Sequence, residues 1–267
     1  MAERNVSPLV AGVVAVLVLA VVWDAVRGGR RPPPPPRHAV AVAETVATLA
    51  ERHDSLAAST APPADTAATS STSYMDQLAR SDTRRRIRAS AGIAYLSDVL
   101  AISTDSMLRR WDNRVSNPVR VWLPSGTAAN FQPAFLDAVR GAFARWGEVG
   151  VPVRFDLTAD SSAAEVRFQW RVQFDIERSG QTDLVWDQDG HIDSATVTLA
   201  TFDPKGRPMT AADIRVVAIH EIGHVIGLEH SPDSADIMFP TAKVRDLSNK
   251  DIQTALLLYQ LSPGSIR

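Results

Sequence analysis

Apolar and polar residues alternate over 118–123 (PVRVWL), the period-two pattern of a strand with one buried face. Over 131–147 the period changes to that of an amphipathic helix. Phe135, Leu136, Val139, Phe143 and Trp146 recur at helical spacing, and Gly147 lies near its end. Strands are expected at 151–157 and 164–170, with 172–176 continuing or following the second. Another strand, 192–199 (IDSATVTL), follows the turn-forming DQDG. Residues 210–227 form the next helix, with Thr210 as N-cap and Asp213 near its positive end. The last helix runs over about 248–261. Ser248 caps it, and Asp251 three residues on completes a capping box. The order β-α-β-β-β-α-α describes a mixed α+β or α/β domain.

Upstream the pattern is of another kind. Residues 9–23, LVAGVVAVLVLAVVW, are an unbroken apolar run, and the span 6–26 carries one charge, Asp24. The run is near the upper limit of a signal-peptide core and short of the roughly 20 residues that cross a bilayer as a helix. No small-x-small cleavage site follows it, so residues 1–27 are read as an uncleaved, membrane-spanning signal anchor, with secretion the outcome if the segment is cleaved. Arg27, Arg30, Arg31 and Arg37 follow the run, whereas Arg4 and the amino terminus precede it beside Glu3. The positive-inside rule would then place the C-terminal bulk in the cytoplasm. The chemistry described below requires the opposite, and the expected extracytoplasmic placement rests on that chemistry.

Residues 28–37, GGRRPPPPPR, form a stiff basic spacer that favours extended polyproline conformation. Residues 39–57 have helical composition, and 58–73 are a low-complexity linker almost free of large apolar side chains. The stretch 74–111 is helical and charged, with SDTRRRIR at 81–88. A solvated helix face is the leading reading of that cluster, with an anionic membrane surface or a processing site as alternatives. Residues 28–111 are thus expected to be a stalk with helical segments, 112–262 the folded domain, and 263–267 a tail.

Composition narrows the chemistry. In 267 residues, 45% hydrophobic and 22% charged, there is enough apolar material for a core. A formal net charge of −2 gives no reason to expect nucleic acid as a partner. The chain has no cysteine, which excludes disulfides and thiolate sites and leaves His, Asp and Glu to hold any metal. Nothing in the sequence indicates an oligomeric state.

The histidines converge on 220–231, HEIGHVIGLEHS. One helical turn separates His220 from His224, so both imidazoles lie on one face and can bind one zinc, with Glu221 adjacent to reach a water there. A catalytic zinc needs a third protein ligand. Were the helix to continue, His230 would lie roughly 15 Å along the axis from His220. Gly227 provides the stop, because glycine adopts the left-handed conformation that ends helices and turns the chain. The pattern HExxHxxGxxH is far stricter than HExxH alone.

These residues resemble the metzincins and, within them, the matrixins (matrix-metalloproteinase-like catalytic domains). Ser231 follows the third histidine as it does there. Asp236-Ile237-Met238-Phe239-Pro240 looks like the methionine turn, and LSNKDIQTALLLYQL at 247–261 looks like the final helix. The resemblance covers about 112–262. It implies a zincin-like α/β (α+β) fold: a twisted, mostly parallel sheet with an antiparallel edge strand, an active-site helix, a Met-turn and a C-terminal helix. It implies a zinc endopeptidase acting on proteins or peptides, with His220, His224 and His230 as zinc ligands. Glu221 would be the general base toward a water activated on the metal, and Met238 the floor of the site. The edge strand 194–199, with Ala195, Thr196 and Val197, would pair with an extended substrate.

The chain also departs from animal matrixins. Without cysteine it lacks their thiol latch, and because the folded domain has only His191 outside the motif their second zinc is not expected. Asp183, Asp187 and Asp189 could offer oxygen ligands to Ca2+, though a solvated turn is the plainer reading. Ala242 stands where matrixins often have tyrosine, so their substrate preference does not transfer. Two other functions compete with the endopeptidase: a catalytically silent binding module, which would have no need of Glu221, and a protease that mainly processes itself within the linker 58–73.

Overall fold

A computed structural model of the chain describes residues 39–41, 74–102 and 106–267. Its main sheet is built from β1 (Ala39–Ala41), β3 (Arg114–Trp122), β4 (Val153–Asp156), β5 (Val166–Arg171), β6 (Gly180–Trp186) and β7 (Ile192–Ala200), in the spatial order β1-β6-β7-β5-β3-β4. Strands β4, β3, β5 and β7 run parallel, and β6 is antiparallel to β7. Beyond β6, β1 adds a short antiparallel pairing with residues 183–185.

Helices α3 (Ala134–Gly147) and α4 (Ala211–Val225) pack on each other and complete the core. Phe135, Val139, Phe143 and Trp146 face Ile214, Ala218, Ile219 and Ile222, over Val166, Phe168, Val197 and Leu199 of the sheet. The Trp146 indole donates to the Ile219 carbonyl (2.8 Å), so this polar group enters the core satisfied. The expected capping box of Ser248 with Asp251 opens α5 (Asn249–Gln260), and Thr210, expected as an N-cap, forms a second such box with Asp213 at the start of α4.

Strand β6 was not anticipated, and 172–176, expected as strand, is not one. The consequence is that β7 is internal. Ala195, Thr196 and Val197 pair with Val166, Arg167 and Phe168 on one side and with Leu184, Asp183 and Thr182 on the other. Their backbone groups are consumed by the sheet and Ala195 and Val197 are buried, so these three residues cannot receive a substrate strand. The antiparallel strand toward the edge is β6.

The upstream boundary also moves. Helices α1 (Tyr74–Ala89) and α2 (Leu96–Ile102) have the helical character expected of this stretch, but they belong to the folded unit. The Tyr95 amide donates to Thr254 Oγ1 (3.0 Å) on α5. Trp111 is fully buried, and its indole donates to the Val225 carbonyl (2.8 Å) at the end of α4. Part of the basic cluster is likewise engaged. Arg84 donates to the Ile266 carbonyl (2.6 Å), and Arg86 donates to the carbonyl (3.0 Å) and side chain of Gln260, where α5 exposes its negative end. The expected tail is strand β8 (Gly264–Ser265), paired with β2 (Met107–Leu108).

Of residues 39–57, read as helical, 39–41 form β1 and the remainder lie outside the described residues, as do the apolar run 9–23, the proline spacer and the linker 58–73. Among the described residues no helix is long and apolar enough to cross a membrane.

Candidate metal centre

Helix α4 delivers His220 and His224, and its end delivers His230. Gly227 has φ +99°. Its amide donates to the His224 carbonyl (2.8 Å), and the Leu228 amide donates to the Gly223 carbonyl (3.0 Å), the paired bonds of a glycine-terminated helix. The chain then reverses, and His230 returns to the helix face. Gly227 thus adopts the left-handed conformation that the spacing argument asked of it.

The result is a compact nitrogen triad. His224 Nε2 lies 3.2 Å from His220 Nε2 and 3.3 Å from His230 Nε2. Three nitrogens held at 2.0–2.1 Å from one tetrahedral centre are about 3.3–3.4 Å apart, so this spacing fits zinc. The remaining ring nitrogens reinforce the fit. His220 Nδ1 donates to the Ile237 carbonyl and His224 Nδ1 to the Leu228 carbonyl, both at 2.7 Å, which turns the Nε2 lone pairs inward. Burial lowers the pKa of all three, that of His224 well below its ordinary value and that of His230 to about 4. The imidazoles are therefore neutral, the state a metal ligand requires.

Met238, in the turn read from the sequence, is fully buried beside Gly223 of α4. Gly223 between the two helical histidines makes room for it. A Cβ there would run into Met238 Sδ and come within 3.2 Å of Trp146 Cζ2. The turn is held by two buried carboxylates. Asp236 accepts from the hydroxyls of Ser231 (2.5 Å) and Ser248 (2.6 Å). Asp251 accepts from the amides of Ile237 (2.9 Å) and Ser248 (2.8 Å), and its pKa is raised by burial, against which these bonds act. The Tyr95 hydroxyl reaches Asp251 at 3.4 Å.

Glu221 is buried on the sheet side of α4, beside β6. Thr182 Oγ1 donates to Glu221 Oε2 (2.7 Å) and lies 3.1 Å from the Glu221 main-chain oxygen. Two residues earlier, Gly180 leaves the space that the carboxylate fills. Neither residue was singled out in the sequence. Their only signal is a Gly-x-Thr within a strand that itself went unrecognised. A cavity of about 330 Å³ opens beside Glu221 and the triad, bounded by Val216 and Val217 on one side and by Ala242 and Val244 on the other.

The acidic turn is occupied by its own backbone. Asp187 Oδ1 accepts from the amides of Asp189 and His191, both at 2.9 Å, and its Oδ2 faces His191 Nδ1 at 3.1 Å. Asp183 instead accepts from Gln181 Nε2 (2.8 Å). Among the described residues, the one group of three or more metal-ligating side chains gathered within 4.8 Å is His220, His224 and His230, and the three aspartates form no such group.

A mostly parallel sheet with an antiparallel strand beyond it, over a helix bearing two metal-facing histidines and a glycine-turned third, defines a zincin-like fold. Within that class the chain belongs to the matrixin family, whose family model, described as Matrixin, matches residues 125–260. It is 31% identical over 137 residues to "Metalloendoproteinase 1-MMP" of Arabidopsis thaliana, covering 46% of this chain and 37% of that protein. It is 31% identical over 143 residues to "Metalloendoproteinase 1" of Glycine max, covering 48% of this chain and 47% of that one. A shorter match, 45% identical over 51 residues, joins it to "Matrilysin" of Felis catus, covering 19% of this chain and 16% of the relative. The chain thus spans less than half the length of these relatives.

Proposed function

We propose that the chain is a zinc-dependent endopeptidase that hydrolyses peptide bonds in proteins or peptides. The observation that carries this reading is the triad of neutral imidazoles, spaced for one tetrahedral metal, with the buried carboxylate of Glu221 beside it and an open cavity alongside. Bound by His220, His224 and His230, zinc supplies Lewis acidity and brings the pKa of water down to about 7. Glu221 takes the proton of the attacking water and later gives it to the leaving amine, general base and then general acid. The stretch of β6 before residue 183, unpaired on its outer edge among the described residues, offers backbone groups to an extended peptide, and the adjoining cavity takes one of its side chains. Met238 and the turn around it keep the triad in register from below.

The test uses the zinc-loaded full chain and an unfolded protein as substrate. We expect about one zinc per chain, cleavage abolished by a chelator, and a loss of 10²–10⁴-fold or more in Glu221→Ala, the usual size of a general-base contribution. A fully loaded chain that cleaves nothing in a broad peptide library overturns the proposal. The apolar run 9–23 supports a membrane anchor, and the endopeptidase reading, against the flanking arginines, puts this domain on the outer side. Loss of the domain from intact cells on adding external protease would support that placement, and full protection would overturn it.

A second reading, self-processing, is favoured by β1. Residues 39–41 add antiparallel to β6 and run from Val185 towards Asp183, the neighbour of Thr182 and hence of Glu221. The chain's own N-terminal segment therefore lies along β6 heading towards the base, as a substrate strand would. Mass spectrometry of the full chain after long incubation with zinc tests this. Cleavage absent from the Glu221→Ala chain supports it, and an intact chain refutes it.

A further inference from the structure

We propose that β6 carries a two-residue cradle, Gly180 and Thr182, that holds the general base in its working orientation, Thr182 being a positioning residue of the reaction. This rests on the endopeptidase reading and deepens it.

Residues 180 and 182 share one face of the strand, as alternate strand residues must, and that face meets α4. Thr182 is almost completely buried, so its hydroxyl must find a partner inside the protein. Both acceptors within reach belong to Glu221. The hydroxyl has one proton, and the 2.7 Å contact to Oε2 is the shorter of the two, against 3.1 Å to the main-chain oxygen. A hydrogen bond to an ionised carboxylate is about twice as strong as one between neutral groups. Such a bond selects one rotamer of a side chain that has three torsions to lose. Gly180 closes the other side. A Cβ at that position would collide with Glu221 Oε1 and lie 2.7 Å from both Glu221 Cγ and Val217 Cγ1. Those contacts are below any normal approach, so the glycine is what permits the carboxylate to lie flat against the strand. Gly180 has no positive φ that would call for glycine on its own account. A threonine serving only as strand filler would need no glycine two residues before it. The two features are explained together by the carboxylate between them, and a base held this way meets the reacting water without reorganising.

The experiment compares zinc-loaded full chains on one peptide substrate. Thr182→Val keeps the shape and removes the hydroxyl. It should lower kcat by about tenfold or more while KM stays within about twofold, as expected when only the orientation of an acid–base group is lost. Zinc stoichiometry and the melting temperature of the loaded chain should match the wild type. Thr182→Ser, which restores the donor, should return kcat to within about threefold of wild type. Gly180→Ala should lower kcat in the same manner as Thr182→Val. If Thr182→Val proves unstable, Thr182→Ala against Thr182→Ser gives the same comparison. Wild-type kcat in Thr182→Val overturns the cradle, and so does an equal loss in Thr182→Ser, which would assign the effect to packing. An inert wild type would instead overturn the endopeptidase reading, so the two failures are told apart.

Discussion

Replacing Gly227 by alanine perturbs the metal centre without touching a ligand. At φ +99° an L-residue pays about 1–2 kcal/mol for the left-handed conformation. The new Cβ would also collide with the Arg109 carbonyl oxygen and lie 3.0 Å from its carbon and 3.3 Å from Leu258 Cδ2. Arg109 cannot step aside cheaply. The Arg110 amide next to it is bonded to the Gly190 carbonyl (3.1 Å), and Trp111 beyond is anchored in the core through Val225. Strain of this kind costs a further 1–3 kcal/mol or so, for a total of about 2–5 kcal/mol. In a domain of 150–250 residues each kcal/mol lowers the melting temperature by about 2–4 °C, so a fall of roughly 4–20 °C is expected in the metal-free protein. The same change relaxes the turn that returns His230 to the helix, so zinc affinity falls as well. Calorimetry on metal-free and zinc-loaded samples, with a competition assay for zinc, measures both effects. A Gly227→Ala protein that melts within about 2 °C of wild type and binds zinc equally well would refute the view that this glycine builds the site.

Three further outcomes are expected. The Asp213 carboxyl is held below its usual range, because the bonds from Thr210 and Arg207 outweigh the opposing effect of burial. A depressed carboxyl stabilises the fold above its unfolded pKa of about 3.9 and loses that contribution as pH falls through the folded value. Asp213→Asn should therefore be less stable than wild type at pH 7, by about 1 kcal/mol as for other cap losses, and the gap should be smaller at about pH 3, below the unfolded pKa. Urea melts at both pH values check this, and a gap that stays constant contradicts it. Asp251→Asn turns an amide group toward the donors of Ile237 and Ser248 and should cost about 2–4 kcal/mol, with weaker zinc binding because Ile237 also receives His220. Wild-type zinc affinity in a folded Asp251→Asn chain would show that the turn does not position the ligand. A chain truncated to 112–267 loses Trp111 and Tyr95 and should not unfold cooperatively, whereas 74–267 should; circular dichroism melts showing equal cooperativity would restore the boundary at 112.

What could be read from the residues depended on the range of the forces involved. The histidine triad and both helix caps were legible because each is local: His220 and His224 are set by the helical period, Gly227 by backbone sterics, and Thr210 and Ser248 by their place at the helix starts. The edge of the sheet was not legible, because being an edge is a matter of pairing between distant segments, and 192–199 has the pattern of a strand whichever place it takes. The docking of 74–111 was hidden for a related reason. Arginines that look solvated in one dimension find carbonyls near residues 260–267, and nothing local announces that meeting. Strand β6 is the most instructive omission. Its inward positions are Gly180, Thr182 and Leu184, only one of them a large apolar residue, so the period-two hydrophobic signal is nearly absent. Two of those three positions face Glu221, which needs a donor on one side and empty space on the other. The polarity that conceals the strand is thus what the base requires of it, and the local rule fails at the place where function overrides packing.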